Sequence, residues 1–366
     1  MKPLHCTIIG GGPAGTATAI RLQQFGYVTA LVERSTYEHW RVGETLPPAI
    51  QVPLKTLGVW QEFLGENFLP SQSICSAWGC PELSETHFLL NPYGNGWHID
   101  RAKFDRMLAG AAQKAGCRLL LETQLAGVET RNGRWELRLK KGGKPLIVES
   151  EIIVDATGRS ATLARQLGSR IIRYEQLVGI TRFLSPNTSK RLPSPNLLLE
   201  ACPEGWWYSA PLPDQKLLIT FMTDAAQIPN HRTDQAQYWA TNLAQAPHTK
   251  RRARGSAPGP EMYVSPAGST CLDRINGSNW LAVGDAACSF DPLSGRGISK
   301  ALYSGIAAAG YIRDFFEGEN DALDCYFEKI KSGFAAYLRT RNQYYGMESR
   351  WPDAPFWQKR RQVACV

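Results

Sequence analysis

Three glycines near the start of the chain have the spacing of a phosphate-binding turn. Gly10, Gly12 and Gly15 follow an apolar, β-branched stretch and precede small residues with helical spacing, and Pro13 and Ala14 lie between them. Glycines at these positions permit a tight turn, close approach of the backbone to a pyrophosphate, and close packing of helix on strand. The helix N-terminus stabilises the negative charge of the phosphates. The segment from Gly10 to Gly15 therefore predicts a dinucleotide site.

Acidic side chains follow three predicted strands. Glu33 closes the strand after the glycine turn, where a carboxylate can accept hydrogen bonds from ribose hydroxyls. Asp155 ends the strand in "EIIVDATG", and Asp285 follows the strand in "WLAVG". Each strand end can reach the same crevice. A nicotinamide dinucleotide needs one such approach, whereas FAD, with its additional ribityl arm, needs several. The three carboxylates therefore favour FAD.

A proline- and glycine-rich segment, "DPLSGRG", follows Asp285 and opens a predicted helix. Pro292, Gly295 and Gly297 keep this loop narrow, so that a ligand can approach its backbone closely. The N–H groups that open the helix, as far as Ile298, favour negative charge on that ligand. This loop is a second candidate contact for the cofactor.

The segments that must position these residues are discontinuous in the chain. Residues 1–70, 98–170 and 271–345 have α/β character and are assigned to the cofactor-binding domain. Residues 71–97 and 171–270 contain alternating stretches typical of antiparallel strands and are assigned to a substrate domain. Residues 346–366 form a C-terminal tail. The predicted fold class is α/β with an α+β insertion.

Composition narrows the class of protein. The chain has 366 residues, a net charge of +8 and a pI of about 9.0. No apolar run reaches the roughly 20 residues of a membrane span, and the N-terminus does not have the pattern of a signal peptide. The basic runs lack the aromatic spacing of a nucleic-acid platform, so an acidic partner surface fits the charge better. Nine scattered cysteines, without a metal-ligand cluster, indicate free thiols and a cytoplasmic protein.

Three motifs in this order, GGGPAG, DATG and GD followed by the Pro/Gly loop, resemble the flavoprotein monooxygenase superfamily over nearly the whole chain. That superfamily includes the group-A aromatic hydroxylases and the flavin-dependent halogenases. The resemblance implies a Rossmann-like FAD-binding domain of the group-A type with an interleaved antiparallel-sheet substrate domain. It implies that Asp285 binds the ribityl hydroxyls and that the backbone from Gly295 to Ile298 lies near the isoalloxazine ring.

The same resemblance implies further cofactor contacts. Arg34 and Arg41 would lie near the adenosine and diphosphate, and Gly43 and Glu44 beside the edge of the ring. Arg101 would open a helix and touch the cofactor. The remaining implied contacts are Leu125 and Gly158.

Several segments resemble the halogenase branch, but three features depart from it. The tryptophan and isoleucine of the halogenase WxWxIP signature are replaced by Tyr208 and Ala210. Lys55, the candidate for the lysine that carries oxidised halogen, lies among periodic apolar residues that favour an exposed helix face. Arg296 places a bulky cation in the loop that usually binds halide. Halogenation therefore ranks second.

A closer resemblance is to the flavoproteins that mature cysteine tryptophylquinone amino-acid oxidases, of the lysine ε-oxidase and glycine oxidase type. It is carried by "SAWG", "GWHIDR", "EGWWYSAP", "GDAACSFDPLSGRG" and "YYGMESRWPDAPFWQKRR". It implies an FAD-dependent monooxygenase that uses O2 to hydroxylate a tryptophan of a precursor protein. The reductant would be transiently bound NADPH or a separate flavin reductase. The alternatives are a small-molecule halogenase or aromatic hydroxylase, and a flavin-bearing chaperone without turnover.

Three side chains are candidates for proton transfer. Asp291 or His98 could remove the proton lost from the hydroxylated ring, and Glu44 lies where the resemblance places the ring edge. Aromatic residues could line a dry channel, although core packing explains each of them as well: Trp78, Trp97, Trp206, Trp207 and Tyr208.

Overall fold

The computed structural model describes residues 4–186 and 195–361, so the parts of the predicted domains that fall on 1–3, 187–194 and 362–366 lie outside the described residues. Within the described ranges the α-helices are α1 Pro13–Gln24, α2 Gln51–Thr56, α3 Trp60–Gly65, α4 Arg101–Lys114, α5 Thr162–Gln166, α6 Arg232–Ala244, α7 Pro247–Arg252, α8 Gly297–Phe316, α9 Ala322–Met347 and α10 Pro355–Arg361. None of these helices has the length and apolarity required to cross a lipid bilayer.

The strands form four sheets. In chain order they are β1 Leu4–Ile9, β2 Thr29–Val32, β3 Thr45–Leu46, β4 Leu69–Ser71, β5 Ser73–Ala77, β6 Ser84–His87, β7 Gly96–His98, β8 Arg118–Leu120, β9 Thr123–Arg131, β10 Arg134–Lys141, β11 Lys144–Asp155, β12 Ile171–Arg173, β13 Leu177–Pro186, β14 Leu197–Cys202, β15 Gly205–Pro211, β16 Leu217–Asp224, β17 Ser256–Pro266, β18 Thr270–Leu272, β19 Asn276–Gly277, β20 Trp280–Ala282 and β21 Cys288–Ser289.

The largest sheet has the order β19-β20-β11-β1-β2-β8, with β10 and β9 continuing from β11. Strands β20, β11, β1, β2 and β8 are parallel to one another. Its central strands β1, β2 and the end of β11 are apolar and almost entirely buried, as expected for a parallel sheet covered on both faces. This sheet confirms the predicted α/β fold.

The inserted layer is a seven-stranded sheet of order β17-β13-β16-β15-β14-β5-β6. Its pairs are antiparallel except β14 and β5, which are parallel. The exception arises because β5 comes from the segment before α4, whereas β14 comes from the long insertion. The sheet therefore joins the two pieces of the chain that the sequence assigns to the substrate domain.

Two three-stranded sheets connect the main layers. One has the order β3-β7-β4, and the other has the order β12-β18-β21. The first carries Thr45 opposite His98. In the second, β21 follows the turn that contains Asp285. Both sheets thus border the predicted cofactor site.

The C-terminal helix α10 is part of the core. Phe356 and Trp357 are fully buried, and the ring of Trp357 packs edge-on against Trp78 with centroids 5.4 Å apart. The indole N–H of Trp357 donates to the carbonyl of Cys202, at the end of β14. The described part of the predicted tail therefore packs on the inserted sheet.

Candidate cofactor and active site

Three strand ends meet at one edge of the large sheet. Ile9 at the end of β1 pairs with Asp155 at the end of β11, and Asp155 pairs with Ala282 at the end of β20. Gly10 has φ +112°, and a Cβ there would lie 2.2 Å from the carbonyl oxygen of Ala156. Only glycine permits this approach of the two turns.

The N-terminus of α1 faces open space. Gly12 precedes the helix, no side chain of the described residues caps it, and a Cβ on Gly12 would meet none of their atoms within 4 Å. Gly15 differs, because its Cβ would lie 1.9 Å from the carbonyl oxygen of Gly10. Pro13 and Ala14, between them, are buried. The glycine turn thus combines tight packing behind the helix with free space in front of its N–H groups, as an anion site requires.

Glu33 lies against the glycine turn. Its carboxylate accepts hydrogen bonds from the N–H groups of Gly11, at 2.8 Å, and Ser35, at 3.0 Å. Arg41 forms an ion pair with it at 3.0 Å. Burial acts to raise the pKa of Glu33, but the hydrogen bond from the Ser35 hydroxyl, together with Arg41 and the backbone donors, lowers it below the usual value. Glu33 is therefore ionised and fixed beside the turn.

Two of the three arginines predicted to contact the cofactor are joined through a residue that the sequence did not single out. Asp105, fully buried on α4, pairs with Arg41 at 3.3 Å and with Arg101 at 3.0 Å. Its signal in the sequence is the four-residue spacing from Arg101, which places both on one helix face. Arg34 is exposed and lies apart from this network.

The loop that contains Gly43 contacts both α4 and α8. Gly43 has φ +109°, and a Cβ there would lie 2.6 Å from Nη1 of Arg101 and 3.3 Å from Cδ1 of Ile298. The same Nη1 donates to the carbonyl of Val42. The structure therefore brings together Gly43, Arg101 and Ile298, which are far apart in sequence.

Glu44 is a buried carboxyl group with an oxygen that lacks a partner. Within the described part of the chain, no hydrogen-bond donor is found for Oε1. Burial raises the pKa of Glu44 to about 7, against the opposing effects of backbone N–H groups and of Arg101. This group can therefore exchange a proton near neutral pH.

Asp285 is held by two cations. Lys300, on the first turns of α8, contacts Oδ1 at 2.6 Å, and Arg159 lies 3.7 Å from Oδ2. Burial acts to raise the pKa of Asp285, but these cations lower it. About a third of the side chain remains exposed, so a ligand can reach the carboxylate. Sequence reasoning missed Lys300, although its place in the first turns of the glycine-opened helix was visible.

The glycine-rich loop forms a 3-10 turn over Pro292–Ser294 and then enters α8. Gly295 has φ +59°, and a Cβ on Gly295 or Gly297 would meet no atom of residues 4–186 or 195–361 within 4 Å. The backbone at the start of the 20-residue α8 therefore faces free space, as the sequence predicts for a bound ring.

Asp291 holds this loop in place. Its Oδ1 accepts from the N–H of Leu293 at 2.9 Å, and its Oδ2 accepts from the hydroxyl of Tyr345 at 2.7 Å. Arg341 lies 3.5 Å from Oδ2, and the carboxylate is fully buried. These contacts support a role for Asp291 in loop geometry, and a role in proton transfer stays a prediction.

His98 belongs to a directed chain of hydrogen bonds. Its Nε2 lies 3.1 Å from the carbonyl oxygen of Pro195, which can only accept, so Nε2 carries the proton. Nδ1 then accepts from Thr45, at 3.1 Å, and Thr45 accepts from the hydroxyl of Tyr208, at 2.7 Å. Burial lowers the pKa of His98 to about 4. The neutral ring thus orients Tyr208, which leaves its catalytic assignment as a prediction.

The remaining predicted cofactor residues lie close to the strand ends. The buried carboxylate of Asp155 accepts from Thr157 N–H at 2.9 Å and Ala164 N–H at 2.7 Å, so it shapes the turn after β11. Gly158, with φ +66°, faces open space. Leu125 is half-buried on β9, opposite Leu139 of β10.

Four of the five aromatic residues proposed for a channel pack on the two sides of the inserted sheet, and Trp97 lies outside that sheet. Trp207 stacks on Phe221 at a centroid distance of 4.6 Å, inside one core cluster. Trp206 lies in another cluster with Trp78 and Tyr208, which also includes Leu293 of the glycine-rich loop. Trp97 packs edge-on against Phe63 near α3, at 5.3 Å. The cluster of Trp206 borders the glycine-rich loop through Leu293, and Trp97 packs against the core cluster that contains Ile298.

The residues present fit FAD. The open N-termini of α1 and α8 suit the diphosphate and an electron-rich ring, and Glu33 and Asp285 are placed for ribose and ribityl hydroxyls. A bound ligand would occupy the free space next to Gly12, Gly295 and Gly297.

Several known proteins resemble this chain in sequence or in fold. LodB of Marinomonas mediterranea, described as a putative FAD-dependent oxidoreductase, is 29% identical over all of this chain and 99% of its own length. The solved chondrochloren halogenase CndH, 23% identical, superposes with a TM-score of 0.89 over 98% of this chain and 86% of its own. The peptidyl tryptophan dihydroxylase QhpG, 24% identical, superposes with a TM-score of 0.79 over 98% of this chain and 78% of its own.

The model of one protein family matches most of the sequence. This is the tryptophan halogenase model, which matches residues 66–365. The match includes the inserted sheet, the turn with Asp285 and the glycine-rich loop before α8. The chain therefore belongs to the tryptophan halogenase family of FAD-dependent oxidoreductases.

Proposed function

We propose that this protein is an FAD-dependent monooxygenase that hydroxylates a tryptophan residue of a precursor protein during the biogenesis of cysteine tryptophylquinone in an amino-acid oxidase. The full-length similarity to LodB supports this proposal. QhpG, which acts on peptidyl tryptophan and is essential for tryptophylquinone cofactor biogenesis, supports it through its fold. The observation that carries it is the buried Glu44 carboxyl group, which follows Gly43, the residue that approaches Ile298 in the first turn of α8.

The cofactor would be held by residues of three segments. The N–H groups at the start of α1 would bind the diphosphate, and Asp285, fixed by Lys300, would bind the ribityl hydroxyls. When bound, FAD supplies an electrophilic oxygen atom from O2 and a reductant. The reductant in this proposal is NADPH or a separate flavin reductase.

The residues of the chain supply proton transfer and a dry site. Hydroxylation of an indole carbon releases a proton. Oε1 of ionised Glu44, which has no hydrogen-bond partner among the described residues, can accept it. Arg101 opposes the rise of the Glu44 pKa, so the ionised form is present near neutral pH. Leu293 and the rings of Trp206 and Tyr208 form an apolar wall that limits access of water.

Tyr208 would orient the substrate. Its hydroxyl donates a hydrogen bond to Thr45, so toward any other group the Tyr208 oxygen can only accept a hydrogen bond. An indole N–H is a donor without acceptor capacity, and it matches this oxygen. The directed chain that ends at Pro195 thus favours an aromatic substrate that carries a donor.

The test is incubation of the protein with FAD, a reductant, O2 and a precursor of a cysteine tryptophylquinone oxidase. We expect the precursor to gain mass in oxygen-atom increments at one tryptophan, located by peptide sequencing. The Asp285→Ala variant serves as the control that loses FAD. A stable complex without any mass change would favour the flavin-bearing chaperone and contradict the proposal.

A small-molecule halogenase is the second candidate, and the family match favours it. Lys55, the lysine considered as carrier of oxidised halogen, is exposed on α2, which disfavours that role. Incorporation of chloride or bromide into free tryptophan, without modification of the precursor, would establish this candidate instead.

A further inference from the structure

Two cysteines oppose each other beside the cofactor site. Cys271 on β18 pairs directly with Cys288 on β21 in antiparallel register. Both are buried, both are free thiols, and their Sγ atoms lie 2.7 Å apart. Directly opposed residues of antiparallel strands have Cα atoms about 4.5–5.5 Å apart. A disulfide needs a Cα separation of roughly 4.4–6.8 Å, so the backbone already has suitable spacing.

We propose that Cys271 and Cys288 are a modification site at which peroxide forms a reversible intramolecular disulfide. This inference is independent of the proposed substrate, because it concerns the protein's own thiols. It adds a covalent link between two strands that the rest of the fold joins by hydrogen bonds.

The surroundings of the pair favour one thiolate. The hydrogen bond with Cys288 lowers the pKa of Cys271 against the effect of burial, and Lys331 and Lys300 lower it further. The same hydrogen bond, together with burial, raises the pKa of Cys288. Cys271 is therefore the attacking sulfur and Cys288 the second thiol.

The reaction balances with peroxide as the oxidant. The thiolate of Cys271 attacks one peroxide oxygen, which breaks the O–O bond, forms a sulfenic acid and releases one water after protonation. The sulfur of Cys288 then attacks the sulfenic sulfur. The S–S bond forms, and the hydroxyl group leaves as water with the proton of Cys288. The two electrons lost by the thiols reduce the peroxide.

The pair is linked to the FAD-binding carboxylate by one side chain. Nζ of Lys300 donates to the carbonyl of Cys288 and to Oδ1 of Asp285. A disulfide at this place would fix the strand that leaves the turn of Asp285. Strand β21 lies at the edge of its sheet, so it can separate locally from β18. A small, uncharged oxidant can then reach the two thiols.

The test treats the full-length protein with hydrogen peroxide, then alkylates free thiols after denaturation and maps the peptides. We expect loss of two alkylated thiols, a linked Cys271–Cys288 peptide, and full reversal by dithiothreitol. The double variant Cys80→Ser with Cys325→Ser, which removes two exposed thiols, should behave in the same way. Cys288→Ala should stop disulfide formation and leave a Cys271 sulfenic acid that dimedone traps.

Two results would overturn the inference. One is an unchanged count of alkylated Cys271 and Cys288 under conditions that oxidise Cys80. The other is a linked peptide that joins either cysteine to a different partner. Peptide mapping of the unmodified sequence decides the question even if Cys288→Ala fails to fold.

Discussion

Compared with Glu33 and Asp285, Glu44 has fewer contacts that stabilise the ionised form of its buried carboxyl group. Glu33 and Asp285 each contact cations that lower their pKa values, whereas one oxygen of Glu44 has no partner among the described residues. Its pKa of about 7 means that its charge changes at neutral pH while the other two remain ionised. Proton transfer at this site should therefore depend on one residue.

Glu44→Gln should change both activity and the pH dependence of stability. Between pH of about 4.5 and 7 the unfolded chain ionises Glu44 while the folded protein keeps its proton, so stability falls as pH rises through this range. The loss is up to about 3 kcal/mol. The variant should lose this pH dependence of stability. If Glu44 is the base, the variant should also lose the hydroxylation activity, which in the parent protein increases above pH 7.

Urea denaturation of the protein without FAD, across that pH range, measures the slope. Glu149→Gln, an exposed residue on β11, is the matched control and should keep it. An unchanged slope in Glu44→Gln would show that Glu44 does not titrate near neutrality.

The sequence predicted which residues approach the site better than it predicted their partners. Glu33 and Asp285 follow strands in motifs with a definite geometry, so their places could be anticipated. Asp105 and Lys300 have weaker signals in the sequence, because their ion pairs with Arg41 and Asp285 join segments that only the folded chain brings together.

At the scale of elements, the two helices that open toward the cofactor pack directly on each other. A Cβ on Gly305 of α8 would lie 2.3 Å from the carbonyl oxygen of Ala14 and 3.0 Å from Cβ of Ala17, both on α1. The separation of the helices, and so of their two N-termini, is therefore set by a residue without a side chain.

Gly305→Ala should destabilise the protein by about 1–3 kcal/mol, because the added methyl group meets backbone that cannot yield easily. It should also weaken FAD binding, measured by flavin fluorescence, since both N-termini would shift. Gly310→Ala, on the same helix but with nothing within 4 Å of the new Cβ, should raise stability by roughly 0.5–1 kcal/mol. Equal effects of the two substitutions would refute the packing argument.

The sequence predicted the types of most elements but not every pairing. Alternating apolar residues indicate strands in the insertion, yet the parallel pair β5–β14 depends on two segments separated by a whole domain piece. Local patterns carry no information about such a pairing.

At the scale of the whole molecule, α10 connects the inserted sheet to the glycine-rich loop. Trp357 packs against Tyr345 with ring centroids 6.0 Å apart, and the hydroxyl of Tyr345 donates to Asp291, which holds the loop. Arg360 also pairs with Asp224 of β16 at 2.9 Å. The segment expected to be a tail is thus a structural link between the two layers.

Trp357→Ala should lower the free energy of unfolding by about 3–5 kcal/mol, because it leaves a large cavity between the layers. It should also weaken FAD binding through displacement of Tyr345. Gln358→Ala, which changes an exposed neighbour on the same helix, should leave both quantities within about 0.5 kcal/mol of the parent. Thermal melts and FAD titrations of the two variants provide the comparison.

The order of strands in the large sheet has a consequence for synthesis on the ribosome. On the side of β11 away from β1, the hairpin partner β10 pairs with residues 144–150, and only Ile153–Asp155 pair with β20. The seven-stranded layer is largely translated between β11 and β20, so these three residues stay unpaired on that side until β20 emerges. A nascent chain therefore carries an uncovered β-edge through the translation of more than a hundred residues, from Asp155 to Trp280. Such edges recruit other strands, so cellular yield should depend on chaperones that shield the emerging chain until β20 arrives.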